Sequence, residues 1–178
     1  TLRRQRQMCI RDRKIKLKMF HIILFDPEIP PNTGNIMRLC SNTGSNLHLI
    51  KPLGFELNSK NLKRAALDYS EISNLKVYDS LEDCFSENKF NNIFAITKFG
   101  KENLFSLKFN IDDAFLFGNE TSGLPSEILN SFTTKNKLRI PMKKQNRSLN
   151  LSNAASIVLY EAWRQNNFKL AELSFNGK

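Results

Sequence analysis

The chain has 178 residues, with 27 Lys plus Arg against 17 Asp plus Glu, a formal charge of +10, and 40% apolar residues that include 14 Phe. That length suits one domain, the apolar content supports a packed core and excludes global disorder, and no apolar run approaches the roughly 18 residues of a membrane-crossing helix. The charge points to a polyanionic partner, RNA or DNA first, although a basic balance by itself also serves solubility.

Residues 1–18 read unlike the rest. Arg3, Arg4, Arg6, Arg11, Arg13, Lys14, Lys16 and Lys18 stand against one acid, Asp12. The segment lacks the apolar stretch of a secretory signal. An RNA-binding arm and an Arg-rich transit peptide are both open. The favoured expectation is a basic extension that is non-native or disordered, with Met19 the natural first residue and 19–178 a single domain. Cys9, Cys40 and Cys84 are odd in number and widely spaced. They suggest neither a disulfide framework nor a zinc site, and reduced thiols in a cytoplasmic protein are the simplest reading. His21 and His48 sit in apolar runs and read as strand residues, not metal ligands.

From Phe20 onward, apolar runs alternate with helix-like segments. The runs are His21 to Phe25, Leu47 to Ile50, a weaker Leu75 to Tyr78, Ile93 to Ile96, Ala114 to Phe117 and Leu138 to Ile140. Runs without alternation suit strands buried on both faces. Helices between such strands predict an α/β domain, a mostly parallel sheet with helices on both faces. The first helix is predicted after Pro30 and Pro31, with Asn32 as N-cap and Gly44 closing it. The last, Leu151 to Gln165, carries Leu151, Ala154, Ala155, Val158, Leu159 and Ala162 at helical spacing. Ile157, Tyr160 and Trp163 widen its apolar surface, so it is either central or shared with a second subunit.

Three segments rich in Asn, Gly, Ser and Pro fall where strands should end, at Asp26–Asn35, Phe117–Pro125 and Ile140–Asn153. In open α/β sheets ligands bind at the carboxyl ends of strands. No Gly-rich dinucleotide fingerprint, P-loop, nucleophile elbow or zinc-protease motif is present. What remains is main-chain donors, amides and hydroxyls with isolated charges, which suits a nucleoside-like cofactor beside a phosphate-bearing substrate. Arg38 can grip phosphate bidentately, or form a surface ion pair. Gly118 and Gly123 read equally as turn glycines, Ser148 and Asn150 as helix caps, and Glu120 as a first-turn acid.

The three loops together resemble the SPOUT superfamily of RNA methyltransferases, within it the tRNA 2′-O-ribose branch, and closest the small bacterial enzymes acting on cytidine or uridine 34. The signatures are FDPEIPPNTGNIMRLCSNTG from Phe25, FGNETSGLP from Phe117 and RIPMKKQNRSLNLSNAASIVLYEAWRQ from Arg139, with KRAALDY from Lys63 between them. The resemblance implies a C-terminal trefoil knot, in which the chain after Ile140 threads an earlier loop, and an obligate homodimer with each active site near the subunit interface. It implies S-adenosylmethionine as cofactor, bound through Ile96, Gly118, Ile140 and Ser148, and a tRNA substrate, with no metal and no membrane. It assigns Arg38 to activating the ribose hydroxyl. A guanidinium is a poor base, so gripping the neighbouring phosphate and stabilising the emerging alkoxide is the safer role. Asn32 and Glu120 would orient that Arg and the substrate, Asn150 would fix the knot loop or touch the ribose, and Lys143, Lys144 and Arg147 would meet phosphates. The competing expectations are the same chemistry at another tRNA position or on ribosomal RNA, and a non-catalytic RNA-binding protein on this scaffold.

Overall fold

The computed structural model describes residues 19–57, 75–144 and 148–171. The basic extension, the Lys63–Tyr69 segment and Arg147 lie outside the described residues. Within them the chain forms β1 (His21–Phe25), α1 (Pro30–Thr43), β2 (Asn46–Ile50), β3 (Leu75–Tyr78), α2 (Leu81–Glu87), β4 (Ile93–Ile96), β5 (Glu102–Asn103), β6 (Ala114–Phe117), α3 (Ser126–Ser131), β7 (Lys137–Arg139) and α4 (Leu151–Gln165).

The strands pair in the order β3-β2-β1-β6-β4-β7-β5, and every pairing is parallel. The apolar runs explain this, because each strand must satisfy two buried faces. The two-residue side-chain period divides them. Ile22, Leu24, Leu47, Leu49, Phe115 and Phe117 enter one core, together with Ile36, Met37 and Cys40 of α1 and Ala155, Val158 and Leu159 of α4. Ile23, Ile50, Ala114 and Leu116 enter the other, with Leu81 and Cys84 of α2 and, at its edge, Ile128 and Leu129 of α3. The predicted helices on both faces are therefore present. Burying each large apolar side chain contributes about 1.5–3 kcal/mol, and Phe94, Phe109 and Phe115 add edge-on ring contacts at 5.2–5.4 Å.

His21 and His48 are strand residues, as expected. They are buried against the second core, stacked with Nδ1 of His21 2.9 Å from Nε2 of His48. Helix α1 closes as predicted at Gly44, whose φ of 69° is the left-handed region that glycine adopts readily. Its start differs from expectation. Ile29 is the N-cap and Asn32 lies inside the first turn, because Pro30 and Pro31 occupy the first helical positions. Proline has its φ preset there and lacks an N–H that would go unused anyway.

β7 lies between β4 and β5, yet β4 and β5 are joined by only Thr97–Lys101. That link crosses the backbone of β7. Thr97 N–H donates to Leu138 O at 2.9 Å, and a Cβ on Gly100 would sit 2.6 Å from the Leu138 carbonyl carbon. Only glycine lets the two backbones pass so closely.

Candidate active site

Strands β1, β4, β6 and β7 end on the same edge of the sheet, and the loops that follow them enclose one cavity of about 400 Å3. That volume falls in the range of small-molecule sites. Ile96, Gly118, Ile140 and Ser148, the four expected cofactor contacts, all line it, as do Asn32, Glu120 and Asn150. The structure thus gathers seven of the eight expected residues. The eighth, Arg38, does not line the cavity. It is exposed on α1, and no hydrogen bond or ion pair to a described residue holds it, so the surface ion-pair alternative fails within the described chain.

A hydrogen-bonded relay ties the loops together. Glu120 accepts from Glu28 N–H at 2.9 Å and Ile29 N–H at 3.2 Å. The same carboxylate accepts from Asn32 Nδ2 at 3.0 Å. It therefore pins the backbone leading into α1, whose N-cap residue makes no side-chain hydrogen bond of its own, and sets its negative charge near the positive end of the helix. Asn32, 5% exposed, accepts at Oδ1 from Asn150 Nδ2 at 2.9 Å. Asn150 Oδ1 in turn accepts from Ser152 N–H at 2.9 Å and Asn153 N–H at 3.3 Å, capping α4. The cap reading of Asn150 was correct, whereas Ser148 lies two residues before that cap.

The Gly118–Leu124 loop is equally constrained. Asn119 Nδ2 donates to Asp26 O at 2.9 Å, and its Oδ1 accepts from Thr121 N–H at 2.7 Å. Gly123 has φ 74°, and a Cβ on Gly118 would overlap Gly123 C and Leu124 N. Both glycines are geometric necessities, and Gly118 also leaves its backbone open to the cavity. Hydrogen bonds from the Asn119 and Thr121 side chains hold the Glu28 carboxyl below the usual carboxylate range. The described thiols offer no nucleophile. Burial pushes Cys84 up to about 12 and raises Cys40 as well.

Sequence reasoning missed the Thr97–Phe99 wall. Thr97, Lys98 and Phe99 follow β4 and line the cavity beside Arg139 and Met142. The rule that ligands meet strand carboxyl ends applies to β4 as much as to the other three strands, yet Ile96 was expected there only through the resemblance. Lys143 and Lys144 are exposed just beyond β7. Among the described residues no group of three or more His, Cys, Asp or Glu could hold a metal ion, and no helix is long and apolar enough to cross a membrane.

A parallel sheet whose strand-end loops build a single cleft of main-chain groups, amides and one capping carboxylate matches a known family over residues 19–160, and the chain belongs to the SpoU rRNA Methylase family. It is 53% identical over 150 residues to the tRNA (cytidine(34)-2′-O)-methyltransferase of Methylovorus glucosotrophus, covering 84% of this chain and 97% of that protein. It is 49% identical to the enzyme of the same name from Yersinia pestis, covering 83% and 94%. A solved structure concerned with 2-OH methylation of C/U34 on tRNA superposes with a TM-score of 0.79 at 41% identity, covering 85% of this chain and 99% of that one. The fold also recurs in the SpoU methyltransferase AviRb from Streptomyces viridochromogenes, solved with AdoMet, at a TM-score of 0.72 and 23% identity over 84% of this chain and 58% of that one.

Proposed function

We propose that this chain transfers the methyl group of S-adenosylmethionine to the ribose 2′-hydroxyl of nucleotide 34, C or U, of tRNA. The observation that carries this reading is the 53% identity extending over 97% of a relative so named, joined to a cleft that keeps the expected contacts in one place. The residues fit the cofactor. The Gly118 backbone lies open to the cleft, Ile96, Ile140 and Leu149 give apolar surface for a base and the carbon chain beside the sulfonium, and Ser148 offers a hydroxyl. When bound, the cofactor supplies an electrophilic sulfonium methyl.

The chain's own part is alignment and charge. A 2′-hydroxyl must lose its proton as the O–C bond forms, and holding it in line with the methyl removes most of the entropic barrier. Asn32 is fixed from both sides by Glu120 and Asn150, so one rigid relay orients the cleft. Arg38 grips the adjacent phosphate and stabilises the developing alkoxide. Its exposure away from its own cleft supports a homodimer in which the guanidinium reaches a cleft across the subunit interface. Exposed Ile29, Leu149 and Tyr160 supply apolar surface for that contact.

A trefoil knot is part of the same reading. The short β4–β5 link passing over β7 supports it, since the chain leaving Arg139 must exit past that link to reach α4. The domain begins at residue 19, where the family match begins. A cytoplasmic site of action suits two buried reduced thiols and a tRNA substrate.

Mass mapping of tRNA from cells lacking the protein is expected to show loss of a 2′-O-methyl at nucleotide 34. Loss at another tRNA position, or in ribosomal RNA, would redirect the substrate. An unchanged RNA methylation pattern would favour the non-catalytic alternative. Arg38→Ala is expected to abolish transfer while the sedimentation of the dimer and the Kd for cofactor change less than about twofold. Turnover like that of the native protein would remove Arg38 from the mechanism.

A further inference from the structure

Phe99 is the most exposed large apolar side chain among the described residues, at 68%. An isolated exposed apolar residue normally needs no explanation. Three observations set this one apart. It lines the cleft. It is held on a rigid turn, with Phe99 N–H on Thr97 Oγ1 at 3.2 Å, Gly100 N–H on Thr97 O at 3.2 Å and Thr97 N–H on Leu138 O at 2.9 Å. Gly100 is wedged against the β7 backbone, which fixes the backbone of the turn that carries the ring. Finally, one cation stands over the ring and another lines the same cleft. Lys98 Nζ stands 5.1 Å from the ring centroid, and Arg139 lines the cleft and is exposed.

A rigid, wet aromatic ring with flanking cations is the chemistry that holds an unpaired nucleobase. The ring offers a stacking face, and the cations meet the phosphates on either side. A cation held over the ring adds to this, because it keeps the charge next to the stacked base. Resting on the tRNA reading above, we propose that Phe99 is a stacking platform for an unpaired base of the substrate loop, next to the nucleotide whose ribose is methylated, with Lys98 and Arg139 on its phosphates. The platform fixes where the chain of nucleotides lies over the cleft and so which ribose meets the methyl group. The competing occupant is the cofactor's own base. The 68% exposure favours the RNA, because a cofactor wall would be sunk in the cleft as Ile96 and Ile140 are.

The test uses the full chain with Phe99→Ala, Phe99→Tyr and Lys98→Ala. Affinity for tRNA is read by filter binding with saturating S-adenosylhomocysteine, KM and kcat by methyl incorporation, and cofactor Kd by calorimetry. Phe99→Ala is expected to weaken tRNA binding and raise KM at least about fivefold, as loss of one stacked base does. Cofactor Kd and Tm should stay within twofold and within a degree or so. Phe99→Tyr, which keeps the ring, should restore binding. Lys98→Ala should lower the slope of log affinity against log salt by about 0.7, while Phe99→Ala leaves that slope unchanged. Unchanged tRNA affinity in Phe99→Ala overturns the platform, and so does a cofactor Kd that rises in step with KM. The binding arm needs no turnover. If the native protein leaves nucleotide 34 unmethylated but binds tRNA in a Phe99-dependent way, the position reading falls and the platform stands. If it methylates nucleotide 34 without regard to Phe99, only the platform falls.

Discussion

Glu120 shows how a residue read as catalytic is first a structural clamp. Its two oxygens accept three hydrogen bonds, two of them from the backbone at the start of α1. Removing the carboxylate hands those exposed backbone donors to water, at a net cost of about 0.5–1.5 kcal/mol. Glu120→Ala is therefore expected to lower the unfolding free energy measured in urea by about that much and to abolish transfer together, whereas a residue acting on substrate alone would leave the stability unmoved. The sequence carried the identity of Asn32 and Glu120 as a pair but not their arrangement. Asn32 has the composition of an N-cap, but Pro30 and Pro31 start the helix ahead of it, and its side chain turns instead to Glu120 and Asn150, 88 and 118 residues away. Local propensity cannot see a partner at that separation. Arg38 was expected as a phosphate gripper, and its place on α1 outside the cleft of its own chain was not legible, since helical spacing does not say which side of the helix the cleft will occupy.

At the scale of elements, the long apolar runs announced five of the strands, the weaker run at Leu75 a sixth, and the 3.6-residue stripe announced α4 to the residue. What escaped was short. β5 has two residues and α3 six, too few for a period to register. The position of β7 between β4 and β5 also escaped, because strand order depends on which backbones fit past each other. Gly100 is the pivot of that fit. Gly100→Ala forces a Cβ to within 2.6 Å of the Leu138 carbonyl carbon. It is expected to lower stability by about 1–3 kcal/mol, as overpacking does, measured by chemical denaturation. It should also weaken cofactor binding, since Thr97–Phe99 on the same turn walls the cleft.

For the whole molecule, net charge proved a weaker guide than the loops. Eight of the 27 basic residues fall in residues 1–18, outside the family match that opens at residue 19. Deleting residues 1–18 is expected to leave kcat and the tRNA KM within about twofold. A KM raised tenfold would make the segment an RNA-binding arm. The parallel sheet and its two helical faces followed from composition and periodicity, whereas the proposed knot rests on the resemblance and the proposed dimer on the resemblance and the wide apolar surface of α4, because periodicity reports faces and not threading or stoichiometry.

The relay from Glu120 through Asn32 to Asn150 also sets a condition on synthesis. Its members, Asn32, Glu120 and Asn150, stand as many as 118 residues apart, and its last link caps α4. Bringing such distant segments together is entropically slow. A chain still short of residue 150 lacks the last link of the relay and, with α4, Ala155, Val158 and Leu159 of the first core, so cofactor retention is expected only of molecules whose synthesis has passed that point.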